Sequence, residues 1–311
     1  MDLRPLGFGE IFDRAITLYV RNFWPFFAIV LVLIVPLAVV QYVLDSSQLT
    51  QFDQMIRVFT HPGAPQPTLS NLFSSPGEVV GIVAAMLLYY ALWPFVFVAV
   101  AFGVARLYGG RPVEFGACYR SVLPHWGAIL LTQLVAVAVF IAWYVAFFVV
   151  LVAAGVVTAL LSQASIVLAV LAFIVVLLLA LAFLLTLALV FIALAFAMNA
   201  VAIENAGPMA AIASGFARVF GGKELWRALV FALAAFAVIF GGSIVVSAVA
   251  LLALFAHAVA VEVVVSALLR AAIAPFSIVL VAVYYFDVRI RREGYDLEAE
   301  IERIAAAPVV A

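Results

Sequence analysis

Apolar residues run in six long blocks, at roughly 23–44, 79–105, 126–160, 166–201, 228–256 and 263–286, divided by short polar stretches. Each block exceeds the ~20 residues a helix needs to cross hydrocarbon, so the pattern predicts six membrane-spanning helices. Two of them, 126–160 and 166–201, are too long for that task alone. At ~1.5 Å per residue, a helix of about 35 residues reaches ~52 Å against a core of ~30 Å. Neither has room for two spans and a turn, so tilt or projecting ends are expected where "SQAS" (162–165) joins them. Pro36, Pro94 and Pro275 fall inside the first, second and sixth blocks. Each removes a helix hydrogen bond and kinks the span unless a neighbour satisfies the freed carbonyl.

A second pattern precedes alternate spans. In "RPLGFGEIFDRAITLYVRNFWPFF" (4–27), Phe8, Ile11, Phe12, Ala15, Leu18 and Tyr19 share one side of a helix, and Glu10, Asp13, Arg14, Thr17 and Arg21 share the other. Such amphipathicity before an apolar run predicts a helix resting in the membrane interface. Trp24 then sits at headgroup level, and Pro25 opens a new helix. "RPVEFGACYRSVLPHWGAILL" (111–131) and "GPMAAIASGFARVFGGKELWRALVF" (207–231) have the same arrangement, reaching Trp126 and Trp226. Arg14, Arg120 and Arg218 occupy matching places. A threefold internal repeat of one interfacial helix and two spans is therefore expected within a single polytopic domain. Its units cover about 1–105, 106–201 and 202–286, with 287–311 as a tail. The bland alternative is that any polar loop ahead of a span looks like this.

Composition agrees with lipid as the main solvent. Hydrophobic residues make up 69% of the 311 and charged residues 10%, far from the ~45–50% and ~25% of soluble domains. No part of the chain has the makings of a soluble domain of ordinary size. The first apolar block is about 20 residues long and lacks a small-residue cleavage site, so it reads as a retained span and not a signal peptide. Of 15 basic residues, 13 fall in the N-terminal stretch, the 106–124 and 202–227 loops and the tail. Only Arg57 and Arg270 fall on the other side, which places both termini in the cytoplasm of a plasma-membrane protein. The outer loop 45–77 is rich in Pro, Gly and Ser, as a connector is. The lone Cys118 excludes an intrachain disulfide.

The opening "RPLGFGEIFDRAITLYVRNF" and the closing "YYFDVRIRREGYDLE" (284–298) together resemble the integral membrane domain family named after glycerophosphoryl diester phosphodiesterase. Members share an Arg-Pro-Leu, Gly-Glu-Ile, Asp-Arg beginning and a Tyr-Tyr-Asp, Arg, Arg, Glu-Gly ending. The resemblance implies a bacterial multi-helix membrane domain over essentially the whole chain. The phosphodiesterase activity of the name belongs to a separate soluble barrel, and the resemblance does not carry it here.

Catalytic signals are weak. His61, His125 and His257 are scattered, and neither H-E-x-x-H nor G-x-S-x-G occurs. "GGKEL" (221–225) lacks the order of a phosphate-binding loop. No enzyme activity, cofactor, metal or nucleic-acid partner is expected. The polar residues of the spans include Gln41, Tyr89, Tyr90, Asn199, Ser243, Ser247 and Ser266, and the ionised one is Arg270. Arg270 can snorkel outward, reach Glu262 two turns away, or face a substrate. Candidate contacts with membrane lipid or a partner protein are Arg14, Arg120, Arg218, Trp24, Trp126, Trp226, Arg270, Glu262, Arg289, Arg291 and Arg292.

Two functions are open. The first is a non-enzymatic scaffold or accessory subunit that touches lipids and docks a protein partner through its tail. The alternative is a transporter or a lipid- or amphiphile-handling permease. Geometry separates them: a filled bundle favours the first, and a cavity between spans facing Arg270 favours the second.

Overall fold

The computed structural model describes residues 4–60, 76–222, 225–255 and 259–294. These are helical, with no strand among the described residues. In order they form α1 (Phe8–Arg21), α2 (Phe23–Thr60), α3 (Pro76–Tyr108) and α4 (Phe115–Val122). A 3-10 turn (Leu123–His125) leads into α5 (Trp126–Ala164), followed by α6 (Ile166–Glu204), α7 (Pro208–Phe220), α8 (Leu225–Phe255) and α9 (Val259–Glu293). Six of these helices are long and apolar enough to cross a membrane, as the six hydrophobic blocks predict. His61 and the rest of 61–75, Lys223, His257, Arg303 and the tail beyond Gly294 lie outside the described residues. The outer loop expected over 45–77 is in part helix instead: α2 runs on to Thr60 and α3 begins at Pro76.

Helix boundaries follow local chemistry. Ser165 is extended and separates α5 from α6, its Oγ accepting the amide hydrogen of Val167 at 3.2 Å, which caps a free donor of the new helix. Asn205 adopts a left-handed φ of 52° and ends α6, a conformation Asn tolerates better than most residues. Pro208 takes the first turn of α7, where its missing amide hydrogen costs nothing. Gly294, at φ 67°, follows the last turn of α9. The three span prolines do not end their helices: Pro36 lies within α2, Pro94 within α3 and Pro275 within α9.

The described residues divide into two compact units. One contains Glu10–Pro124 and Val238–Leu280. The other contains the residues up to Gly9, His125–Ala237 and those from Val281 onward. Helices α8 and α9 each contribute one part to each unit.

In the first unit, α2 packs along α3, and α4 lies against both. Phe26, Ile29 and Val30 of α2 and Ala99, Val100 and Val104 of α3 are fully buried. Gly103 admits Phe26, Val113 and Cys118 to the α3 backbone, within 3.0–3.5 Å of where a Cβ would stand. Ile11, Ala15 and Leu18 form the buried face of α1. Two tyrosines tie helices together through backbone carbonyls. Tyr119 donates to the carbonyl of Ile29 at 2.7 Å, and Tyr19 donates to that of Ala272. Ala272 neighbours the carbonyl that Pro275 leaves without its helical donor, so Tyr19 supplies a hydrogen bond where α9 is weakest.

In the second unit, α5 and α6 pair along their length; Phe147 of α5 stacks on Phe183 of α6 at 3.5 Å, and Trp143 lies tilted against the same ring at 3.8 Å. Each helix has 39 residues, or ~58 Å at ~1.5 Å per residue. Helix α6 is apolar all round and changes environment along its length. Val167, Leu171, Ile174 and Leu178 are exposed, whereas the stretch from Ala188 to Ala202 is almost wholly buried. Helix α7 covers that buried part. Contact is backbone to backbone at Gly215, where any Cβ would collide with the carbonyl of Ala193 and the amide of Ala197.

Candidate functional site

Polar groups in hydrocarbon are costly unless they pair with one another or face a cavity. In the first unit they do both. A cavity of about 700 Å³ opens between α2, α3, α8 and α9. Its walls are mostly apolar, with Leu37 from α2, Met86 and Trp93 from α3, and Val246 from α8. Polar groups converge on it from each helix: Gln41, Tyr89, Ser243 and Arg270. Arg270 donates from Nη1 to Oε1 of Gln41 at 3.0 Å. Among the described residues it makes no ion pair, so this guanidinium has only a neutral amide for company. A guanidinium carries five donors, and one of Arg270's is spent on a described residue. Tyr89 stacks on Trp93 at 5.4 Å and meets Tyr90 edge-on at 5.6 Å, lining α3's side of the cavity with aromatic rings.

Helical spacing explains why these side chains share one space. Ser243 and Ser247 are one turn apart on α8, and Arg270 and Ser277 two turns apart on α9. Gly242 brings α8 close to α9, since a Cβ there would press on the side chain of Ile273. Nearby on α9, Ser266 donates to the carboxylate of Glu262 at 3.0 Å, and both side chains are buried.

The second unit holds a contrasting cluster in which charges are matched. Arg218 of α7 donates to Glu293 at 2.7 and 3.1 Å, to the Tyr285 hydroxyl at 2.6 Å and to Glu204 at 3.1 Å. Its guanidinium also lies over the Tyr285 ring, 4.9 Å from the centroid. Tyr285 in turn donates to Glu204, and Arg289 joins Glu204 and Glu293 at 3.4 and 2.9 Å. Burial alone would lower the Arg218 pKa, but hydrogen bonds to Glu293 and Glu204 and the charge of Tyr285 raise it above the usual arginine value. Beside this cluster, Asp287 is completely buried. It accepts from the amide of Leu6 at 2.6 Å, from Arg227 at 2.8 Å and from Arg291 at 3.1 Å. Arg227 and Arg291 both donate to the Leu6 carbonyl, at 2.8 and 2.6 Å. The N-terminal and C-terminal stretches therefore meet, Leu6 from one and Asp287 and Arg291 from the other.

The sequence-derived candidates separate accordingly. Arg270 faces the cavity. Arg218, Arg289 and Arg291 lie in the matched cluster, and Arg292 donates to the Ala217 carbonyl at 3.3 Å. Arg120 is exposed and donates to its own helix at Gly116. Arg14 is half-buried on α1. Trp24, Trp126 and Trp226 each stand at the start of a long helix and are 74%, 62% and 74% exposed. Glu204, Tyr285, Asp287, Arg227 and the Leu6 backbone, which complete the cluster, were not among the candidates, nor were Gln41, Tyr89 and Trp93. The available signal for the cavity was polar residues one or two turns apart on otherwise apolar spans.

No family model, curated relative or solved structure matches this chain.

Proposed function

We propose that this chain is a bacterial cytoplasmic-membrane protein that binds and handles an amphiphile in the cavity of its first unit. The observation that carries the reading is the juxtaposition of an apolar, aromatic-lined space with one cation that lacks a counter-charge among the described residues. A volume of about 700 Å³ falls within the ~300–1,000 Å³ of small-molecule sites. Lipid handling also needs no ion-coupling carboxylate, which suits spans with so few ionised groups. The scaffold reading calls for a filled bundle and a tail free to dock. Here the bundle of the first unit is open, and Arg289 and Arg291 are committed to partners within the chain.

In this reading α1, α4 and α7 rest in the cytoplasmic interface, and the three tryptophans mark headgroup level. Both termini are cytoplasmic, and each short helix with the two long ones after it forms one unit of a threefold repeat. Support comes from the order of elements and from the buried apolar faces of all three short helices.

The test is to fill the cavity. Ala85→Trp places a large ring on its α3 wall. Protein purified in mild detergent should carry an amphiphile detectable by native mass spectrometry, and Ala85→Trp should lose it while keeping its thermal transition. A wild-type protein that retains no amphiphile, and takes up none when offered, would overturn the proposal.

A further inference from the structure

Building on the amphiphile reading, we infer that the ligand is a single-chain amphiphile with an anionic oxyacid head, held by Arg270 and oriented by Gln41. The head follows from charge. A guanidinium on an otherwise apolar span is stabilised by an opposite charge or by water, and among the described residues the protein partner of Arg270 is a neutral amide at 3.0 Å. Its planar fork matches the paired oxygens of a carboxylate or phosphate, and an ammonium would not present that geometry. Gln41 fixes the fork from one side and, among the described residues, leaves the other N–H donors open to the ligand.

The single chain follows from volume and wall chemistry. A space of about 700 Å³ is of the size that holds one drug-sized ligand, which accommodates a compact head and one acyl chain. From Arg270 the walls run to Ser277 on α9 and toward Trp93 on α3. The stacked Tyr89–Trp93 rings and the Leu37 and Val246 side chains along that path offer a chain apolar contact. The cation, without an ion pair among the described residues, and the apolar trough thus describe the two ends of one molecule.

The experiment uses the full chain in detergent and measures binding by native mass spectrometry. The probes share one chain length: a fatty acid, a lysophosphatidic acid, a neutral monoacylglycerol and the two-chain phosphatidic acid, with inorganic phosphate as a fifth. Both single-chain anions should bind, about 10- to 100-fold more tightly than the neutral probe, the factor a charge-assisted hydrogen bond supplies. Arg270→Gln should erase that preference, Arg270→Lys should keep part of it, and neutral binding should stay unchanged in both. The within-protein comparison of charged and neutral probes stands even if a variant folds poorly. Equal binding of neutral and anionic probes would overturn the inference and leave amphiphile handling standing. Preference for the two-chain anion would overturn the single-chain assignment. Inorganic phosphate binding as tightly as the lipids would make the ligand a free anion and overturn both readings, as would no binding by any probe.

Discussion

The two units treat arginine in opposite ways. In the second, Arg218, Arg227, Arg289 and Arg291 are locked to Glu204, Glu293, Asp287 and the Leu6 backbone. In the first, Arg270 has a neutral amide and an open cavity before it. The difference lies in what completes each site. A matched cluster is complete within the chain and serves to join distant segments. Breaking such a pair by removing one partner is strongly destabilising, because the other charge is left stranded. In the proposed reading, the cation beside the cavity is completed by a ligand from outside.

This contrast makes removal of charge the sharpest probe. Asp287→Ala strands Arg227 and Arg291 and takes the acceptor from the Leu6 amide. It should cost about 3–5 kcal/mol, read as a large drop in the thermal transition of the detergent-solubilised protein. Arg270→Gln, by contrast, should leave that transition unchanged or raise it, since no counter-charge is stranded. Equal destabilisation by both would erase the distinction between the units.

Close packing gives a second contrast. Gly215→Ala forces a Cβ into the α6 backbone at Ala193 and Ala197, which cannot move without shifting a helix. A loss of about 1–3 kcal/mol is expected, the cost of overpacking. Gly242→Ala meets only the Ile273 side chain beside an open cavity, so its cost should be smaller. Paired melting curves check the order, and the reverse order would contradict the description of both contacts.

The smallest effect is expected at Tyr19. Tyr19→Phe removes the hydrogen bond to the Ala272 carbonyl and should cost about 1 kcal/mol. Burial raises the Tyr19 pKa from 10.0 to about 12. Its contribution is therefore full below pH 10.0 and declines as pH rises toward 12. Melting of wild type and variant across that range should show the gap narrowing with alkalinity.

How much of this was legible in the sequence follows from the range of the interactions. The six long helices were readable because each is encoded by a contiguous apolar run. That α5 and α6 are unusually long followed from the same runs; the joint was readable only as the stretch 162–165, of which Ser165 alone leaves the helices. Arg270, Gln41 and Tyr89 were visible one by one as polar residues in apolar spans. Their meeting was not, because it joins helices α2, α3 and α9 across more than 200 positions of chain. The Leu6–Asp287 contact spans 281 positions, and no local periodicity encodes it. Matching places for Arg14, Arg120 and Arg218 said nothing of partners: Glu204 and Glu293 reach Arg218 from α6 and α9, and no such acids were considered for it. The prolines are expected to kink their spans unless neighbours satisfy the freed carbonyls; each lies inside a helix that continues past it, and near Pro275 the Tyr19 hydroxyl donates to the Ala272 carbonyl.

The most direct test is an experimental structure of the full chain in nanodiscs made from its own membrane lipids. The account predicts elongated density in the first unit's cavity, with one end within hydrogen-bonding distance of Arg270 and the rest along Tyr89 and Trp93. A cavity closed by its own side chains, with Arg270 paired to a carboxylate of the chain, would contradict it.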